Sequence, residues 1–139
     1  MKKYIKIALV YAVLAMASGV FYREFTKFNE FTAKTALSVT HLHLFVLGTV
    51  VFLLIGLLAG RSNLETLKLF RPTIIVYNVG LPFMVAMFYV RGILQVLGTN
   101  LGNGADLAVS GVAGIGHIIM AAGIVMLFVS LLKAEYRKQ

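Results

Sequence analysis

Four apolar runs divide the chain, at roughly Tyr4–Tyr22, Ala36–Ala59, Thr73–Leu97 and Leu107–Leu132. Each is long enough to cross the hydrocarbon core of a bilayer, which takes about 20 residues of helix. Lipid offers backbone N–H and C=O groups no partner, so all four runs are predicted as helices. The expected fold is therefore an all-α membrane protein, an antiparallel four-helix transmembrane bundle with residues 1–139 as its single domain. The first run exceeds a signal-peptide core and no clear cleavage site follows it, so it reads as a retained span. Pro82, inside the third run, is expected to kink that helix and free a carbonyl near Asn78.

Polar residues gather between the runs, and their signs set an orientation. Lys2, Lys3, Lys6, Arg61, Lys68, Arg71, Lys133, Arg137 and Lys138 fall on one side, against Arg23, Lys27, Lys34 and Arg91 on the other. A basic excess of nine to four predicts a multi-pass protein of the cell membrane with both termini cytoplasmic. The net charge of +8 flanks the apolar runs, which fits phosphate headgroups and not nucleic acid. Phe21, Phe25, Phe28 and Phe31 recur at helical spacing through the first loop, so a helical extension is expected at the outer interface. The segment Thr99–Gly104 is a turn without the strand-then-helix setting of a phosphate loop.

Candidate chemistry comes from three histidines, His41 and His43 in the second run and His117 in the fourth, with no carboxylate inside any run. Ionisable groups at membrane depth are costly and mark function. On the second helix Ser38, His41, Phe45, Gly48, Phe52 and Ala59 share one face. His43 points about 200° away, with Leu47, Val50 and Leu54, toward lipid or another subunit. On the fourth helix Ser110, Ala113, Gly114, His117, Ala121 and Ile124 make a small-residue face, and on the third Tyr77, Gly80, Met84, Met87, Arg91 and Gln95 make a polar stripe. Close helix contacts are expected at Ala12, Gly19, Gly48, Gly80, Gly114 and Ala121. The rise of about 1.5 Å per residue puts His41, His117 and Arg91 in one outer layer.

Neutral imidazoles without acidic partners suit a haem iron or a metal better than a proton pump. The sharpest expectation is haem b with His41 and His117 as axial ligands and Arg91 and Arg23 pairing with the propionates. That site would transfer electrons, with a quinone or another redox partner. Copper or zinc on His41, His43 and His117 is an alternative, opposed by the divergent directions of the first two. So is a non-catalytic structural protein whose histidines hydrogen-bond between helices, alone or as a homo-oligomer. With no Cys, disulfides, thiolate zinc and iron–sulfur clusters are excluded. A cation exporter would need a membrane carboxylate, and Glu24, Glu30, Glu65, Asp106 and Glu135 all fall in loops or at run ends. No Ser, His and acidic residue share a plausible hydrolytic site, so no reaction is assigned.

The stretches Gly19-Val20-Phe21-Tyr22-Arg23-Glu24-Phe25, His41-Leu42-His43-Leu44-Phe45-Val46-Leu47-Gly48 and Arg91-Gly92-Ile93-Leu94-Gln95-Val96-Leu97-Gly98 resemble an uncharacterised family of small four-span bacterial membrane proteins, a domain of unknown function common in Gram-positive bacteria. The resemblance covers nearly the whole chain and implies fold and location without an activity. The His-x-His-Leu stretch, with its following apolar run and Gly, is also similar to a haem-ligating helix of haem–copper oxidase catalytic subunits. That likeness spans one helix and implies a b-type haem on His41 or His43.

Overall fold

The computed structural model describes residues 1–135. Four long helices account for most of them: α1 Lys2–Phe28, α2 Leu37–Ala59, α3 Phe70–Val96 and α4 Asn103–Lys133. All four are long and apolar enough to cross a membrane, and the protein is a multi-pass integral membrane protein. A short 3₁₀ turn, Leu64–Thr66, sits in the second connection with Leu64 fully buried beneath it. Glu135 and Asn63 exchange two hydrogen bonds, of 3.2 and 2.9 Å, so the end of the described chain is tied to that connection. Arg137 and Lys138, part of the basic count, lie outside the described residues.

Packing follows chain order. α1 lies on α2, α2 meets α3, and α4 runs along α3. The buried face of α1 is Tyr4, Ala8, Tyr11, Ala15 and Ser18, a run of alternating four- and three-residue steps. Small residues let the backbones close up, which lets dispersion hold helices together where lipid removes the hydrophobic drive. A Cβ on Gly48 would sit 2.5 Å from the Tyr11 ring, and one on Gly80 would sit 2.8 Å from the Met120 backbone. On α4 the contact is made by Gly116, Met120, Gly123, Leu127 and Ser130. The expected contacts at Gly114 and Ala121 are therefore corrected. Both are exposed, and a Cβ on Gly114 would meet nothing within 4 Å. α4 carries small residues on several sides, and the stripe facing α3 is the other one.

α2 is not a regular helix. Its middle, Leu44–Val50, is π-helical, with hydrogen bonds reaching one residue further than in an α-helix. The buried line still takes three- and four-residue steps from Leu37 to Phe52, with Gly48 and Phe52 inside as expected. Leu37, Thr40, Leu44, Gly48, Thr49, Phe52, Ile55 and Gly56 are buried, whereas Phe45 is exposed. Phe52 is fully buried between two tyrosines, stacked on Tyr11 at 5.7 Å and edge-on to Tyr77 at 5.6 Å. Tyr11 donates from its hydroxyl to Asn78 Oδ1 at 2.9 Å, and Thr73 and Ser130 hydroxyls lie 3.3 Å apart across the α3–α4 contact.

α3 runs through Pro82 as one helix, with Pro82 exposed. The first-loop aromatics extend α1 to Phe28, and Phe21 stacks on Phe25 at 5.1 Å and tilts onto Tyr89 of α3 at 5.6 Å. Glu30, at φ 50°, turns the chain away before Phe31. At that same end, Thr35 donates to the Gly92 carbonyl at 3.1 Å and the Ala36 N–H to Gln95 at 2.8 Å, joining the start of α2 to the end of α3.

Candidate functional site

The buried line Leu37, Thr40, Leu44 runs down the middle of α2 between its two histidines. Residues two apart diverge by about 200° on a helix, so the two imidazoles leave this line in opposite directions. His41 goes toward α1, where its Cβ would lie 3.8 Å from a Cβ on Gly19. Its Nδ1 is buried and has no hydrogen-bond partner among the described residues, and neither has the Ser18 hydroxyl on the facing helix.

His43 goes toward α3. Its ring lies edge-on to Phe88, with centroids 4.8 Å apart and planes at 64°. His117 of α4 packs on the same ring, at 5.5 Å and 72°. Three helices thus each contribute one side chain to a His43–Phe88–His117 cluster. The expectation that His43 faces only lipid or another subunit is corrected, because its ring is packed on α3.

Both rings are held in the same way. His43 Nδ1 lies 2.8 Å from the Val39 carbonyl, and His117 Nδ1 lies 2.8 Å from the Ala113 carbonyl. A carbonyl oxygen only accepts, so each Nδ1 carries the proton. In a neutral ring this leaves the Nε2 lone pair uncommitted. An imidazole anchored through Nδ1–H to a carbonyl is oriented as a metal-ligating histidine is. Sequence reasoning paired His41 with His117; the structure brings His43 and His117 together around Phe88 and puts His41 on the α1 contact. Among the described residues no three His, Cys, Asp or Glu side chains group closely enough to hold a metal ion.

Arg91 lies one turn beyond Phe88 on α3. Its Nη1 donates to Asp106 Oδ1 at 2.6 Å and its Nη2 to Ser110 at 3.2 Å. The predicted propionate partner therefore already has a carboxylate. The sequence reading began the fourth run at Leu107 and left Asp106 just outside it, whereas α4 begins at Asn103 and Asp106 occupies its first turn. Arg91, Gln95, Asn100 and Asp106 line an open cavity of about 590 Å³ at this end of the molecule. Arg23 is exposed and its Nε lies 3.7 Å from Glu24 Oε1.

Beyond the cluster, toward the termini, an apolar groove of about 340 Å³ lies between α2 and α4, floored by Tyr77 and lined by Leu47, Val51, Ile124 and Leu131. His43 is one turn from Leu47, and His117 two turns from Ile124, so the histidines stand at the head of this groove.

The chain belongs to the protein family of unknown function DUF2871, whose model matches residues 1–134. No curated protein and no solved structure matches it.

Proposed function

We propose that this membrane protein binds haem b through His43 and His117, with electron transfer as its role. The observation behind this reading is the shared anchoring of the two rings, each Nδ1–H on a backbone carbonyl at 2.8 Å, on two helices that flank the same Phe88. Two neutral imidazoles need no acid among the iron ligands, in keeping with spans that carry no carboxylate at this depth. When bound, the haem would be held by His43 and His117 and would supply one-electron chemistry. A lipid-soluble quinone is the redox partner that fits a site open to the bilayer. The nine-to-four basic excess supports an orientation with both termini in the cytoplasm and the histidine cluster in the outer half of the cell membrane.

Phe88 stands between the two imidazoles, so loading an iron requires its side chain to turn aside. This feature also favours a second reading, in which the histidines serve only to pack α2 and α4 onto α3. Protein purified from haem-supplemented cells separates the two. The haem reading expects a Soret band that His43→Ala and His117→Ala each abolish, that His41→Ala leaves, and that Phe88→Ala keeps. Protein with no Soret band in any form overturns it. The packing reading then expects His43→Ala, His117→Ala and Phe88→Ala all to lower the melting temperature. Fusion reporters at the C-terminus and in the 61–69 connection test the orientation, and an external signal from either overturns it.

A further inference from the structure

At the end of the molecule that carries the N-terminus, α1, the 3₁₀ turn and the start of α3 enclose a second cleft, of about 440 Å³. It is independent of the histidine cluster. Its lining is polar at Lys3, Glu65 and Arg71 and apolar at Ile7, Ile74 and Ile75, with Tyr4 and Phe70 buried behind them. This end of the protein is strongly basic. Among the described residues Lys2, Lys3, Lys6, Arg61, Lys68, Arg71 and Lys133 face only Glu65 and Glu135.

The two cations of the cleft are differently placed. Lys3 Nζ lies 3.0 Å from Glu65 Oε1 and 4.8 Å from the centre of the Tyr4 ring. Arg71 has no carboxylate within ion-pair distance among the described residues. The Lys3–Glu65 pair is neutral taken together, so the cleft keeps one uncompensated guanidinium above an apolar floor. Ile75, one turn past Arg71, is largely exposed on a helix that crosses the membrane, so the floor opens to acyl chains. A guanidinium matches phosphate oxygens in a two-pronged hydrogen bond. Basic clefts between membrane helices on the basic side of a bilayer take anionic headgroups.

We infer that this cleft is a binding site for an anionic phospholipid, whose phosphate pairs with Arg71 and Lys3 while one acyl chain lies on Ile7, Ile74 and Ile75. A free phosphate would satisfy Arg71 but would leave the apolar floor unused, which favours the lipid. Glu65 opposes the headgroup, since it competes for Lys3.

The test is native mass spectrometry of the full chain in detergent with phosphatidylglycerol, phosphatidylcholine or inorganic phosphate added. The expected result is retention of one phosphatidylglycerol in preference to phosphatidylcholine. Arg71→Gln should weaken retention about fivefold, in keeping with one cation near a membrane surface. Glu65→Gln should strengthen it, and Lys133→Gln, at the same end but outside the cleft, should leave it unchanged. Equal retention of the two lipids overturns the site, as does loss to the same degree in Arg71→Gln and Lys133→Gln. Displacement of phosphatidylglycerol by millimolar inorganic phosphate assigns the cleft to a soluble anion and overturns the lipid. Melting temperatures measured on the same samples show whether Arg71→Gln is folded. If it is not, Arg71→Lys, which keeps the charge and loses the two-pronged geometry, should show an intermediate loss.

Discussion

Tyr77 donates its hydroxyl hydrogen to the Leu47 carbonyl 2.8 Å away, so a side chain of α3 closes the backbone of the π-helical segment of α2. A π-helical stretch shifts its hydrogen bonds by one residue and disturbs the ladder where it begins and ends. At membrane depth no water repairs the gap, and a carbonyl left without a donor costs several kcal/mol in hydrocarbon. Tyr77 adds a donor from α3 to a carbonyl in the middle of this segment. Tyr77→Phe keeps the ring against Phe52 and removes only the donor. It should lower unfolding stability in detergent by about 1–3 kcal/mol. Tyr11→Phe, which removes the donor to Asn78 Oδ1 while Asn78 Nδ2 stays bonded to the Ile74 carbonyl, should cost a similar amount. A Tyr77→Phe protein that unfolds like the parent would show that the Leu47 carbonyl does not depend on this bond.

Glycine substitutions should sort by what a new methyl group meets. At Gly80 it meets the Met120 backbone at 2.8 Å, which cannot swing aside. At Gly48 it meets the Tyr11 ring at 2.5 Å, which can tilt only by disturbing its stack on Phe52. Gly80→Ala and Gly48→Ala should each cost about 1–3 kcal/mol by overpacking. Gly114→Ala meets nothing within 4 Å and should be neutral, or gain up to about 1 kcal/mol from helix propensity. Thermal unfolding of the three in one detergent gives the ranking. Equal losses at Gly80 and Gly114 would refute the α3–α4 interface described here.

The four spans were legible because lipid admits so few structures: the expected run Ala36–Ala59 became Leu37–Ala59, and Leu107–Leu132 became Asn103–Lys133. Which face of each helix turns inward was harder to read. On α3 the stripe through Tyr77, Gly80 and Met84 is buried as expected. On α2 the expected stripe ran through His41 and Phe45, whereas the buried line runs through Thr40 and Leu44 beside it, because apolar residues on every side of this helix give no contrast that would centre the stripe. On α4 two small-residue stripes compete, Ala113–Gly114–Ala121 and Gly116–Gly123, and periodicity alone cannot choose between them. The same ambiguity affected the histidines. His41 and His43 flank the buried line of α2 on opposite sides, so which of them meets His117 depends on which neighbour lies on which side, and the helix pattern does not contain that information.

Acid should weaken the link between the N-terminus and the second connection. The hydrogen bond from Lys3, and after it that from Tyr4, holds the Glu65 carboxyl below the usual carboxylate range. A carboxyl whose folded pKa is depressed adds stability above its ordinary pKa, about 4.3. That stability is lost as pH falls through the ordinary value toward the folded one. Both side chains are exposed, so the contribution is small, on the order of 0.2–1 kcal/mol, and salt should reduce it. The difference in melting temperature between the parent and Glu65→Gln should be largest near pH 7 and shrink steadily below about pH 4. A difference that is unchanged in acid would mean that the ionised carboxylate is not its source.

The Arg91–Asp106 pair should be energetically coupled, and its coupling bears on the haem reading. The 2.6 Å bond and the second bond to Ser110 join α3 to the first turn of α4 across the connection between them. The guanidinium is one-third exposed and the carboxylate about half, so the pair falls between a solvated surface bridge and a buried one. A double-mutant cycle with Arg91→Gln and Asp106→Asn should give a coupling of about 1 kcal/mol, above the 0.3–0.5 kcal/mol within which independent sites add. Additivity within that margin would mean that the two charges contribute nothing to each other. If Arg91 also serves a haem propionate, Asp106 is its competitor, because one guanidinium cannot give its best two-pronged geometry to two carboxylates at once. Asp106→Asn should then raise haem occupancy while lowering stability, and Arg91→Gln should lower both. Occupancy read from the Soret band and stability read from unfolding move in opposite directions in Asp106→Asn only if Arg91 has this second role. Parallel losses in the two variants would leave the arginine as a fastener between α3 and α4 alone.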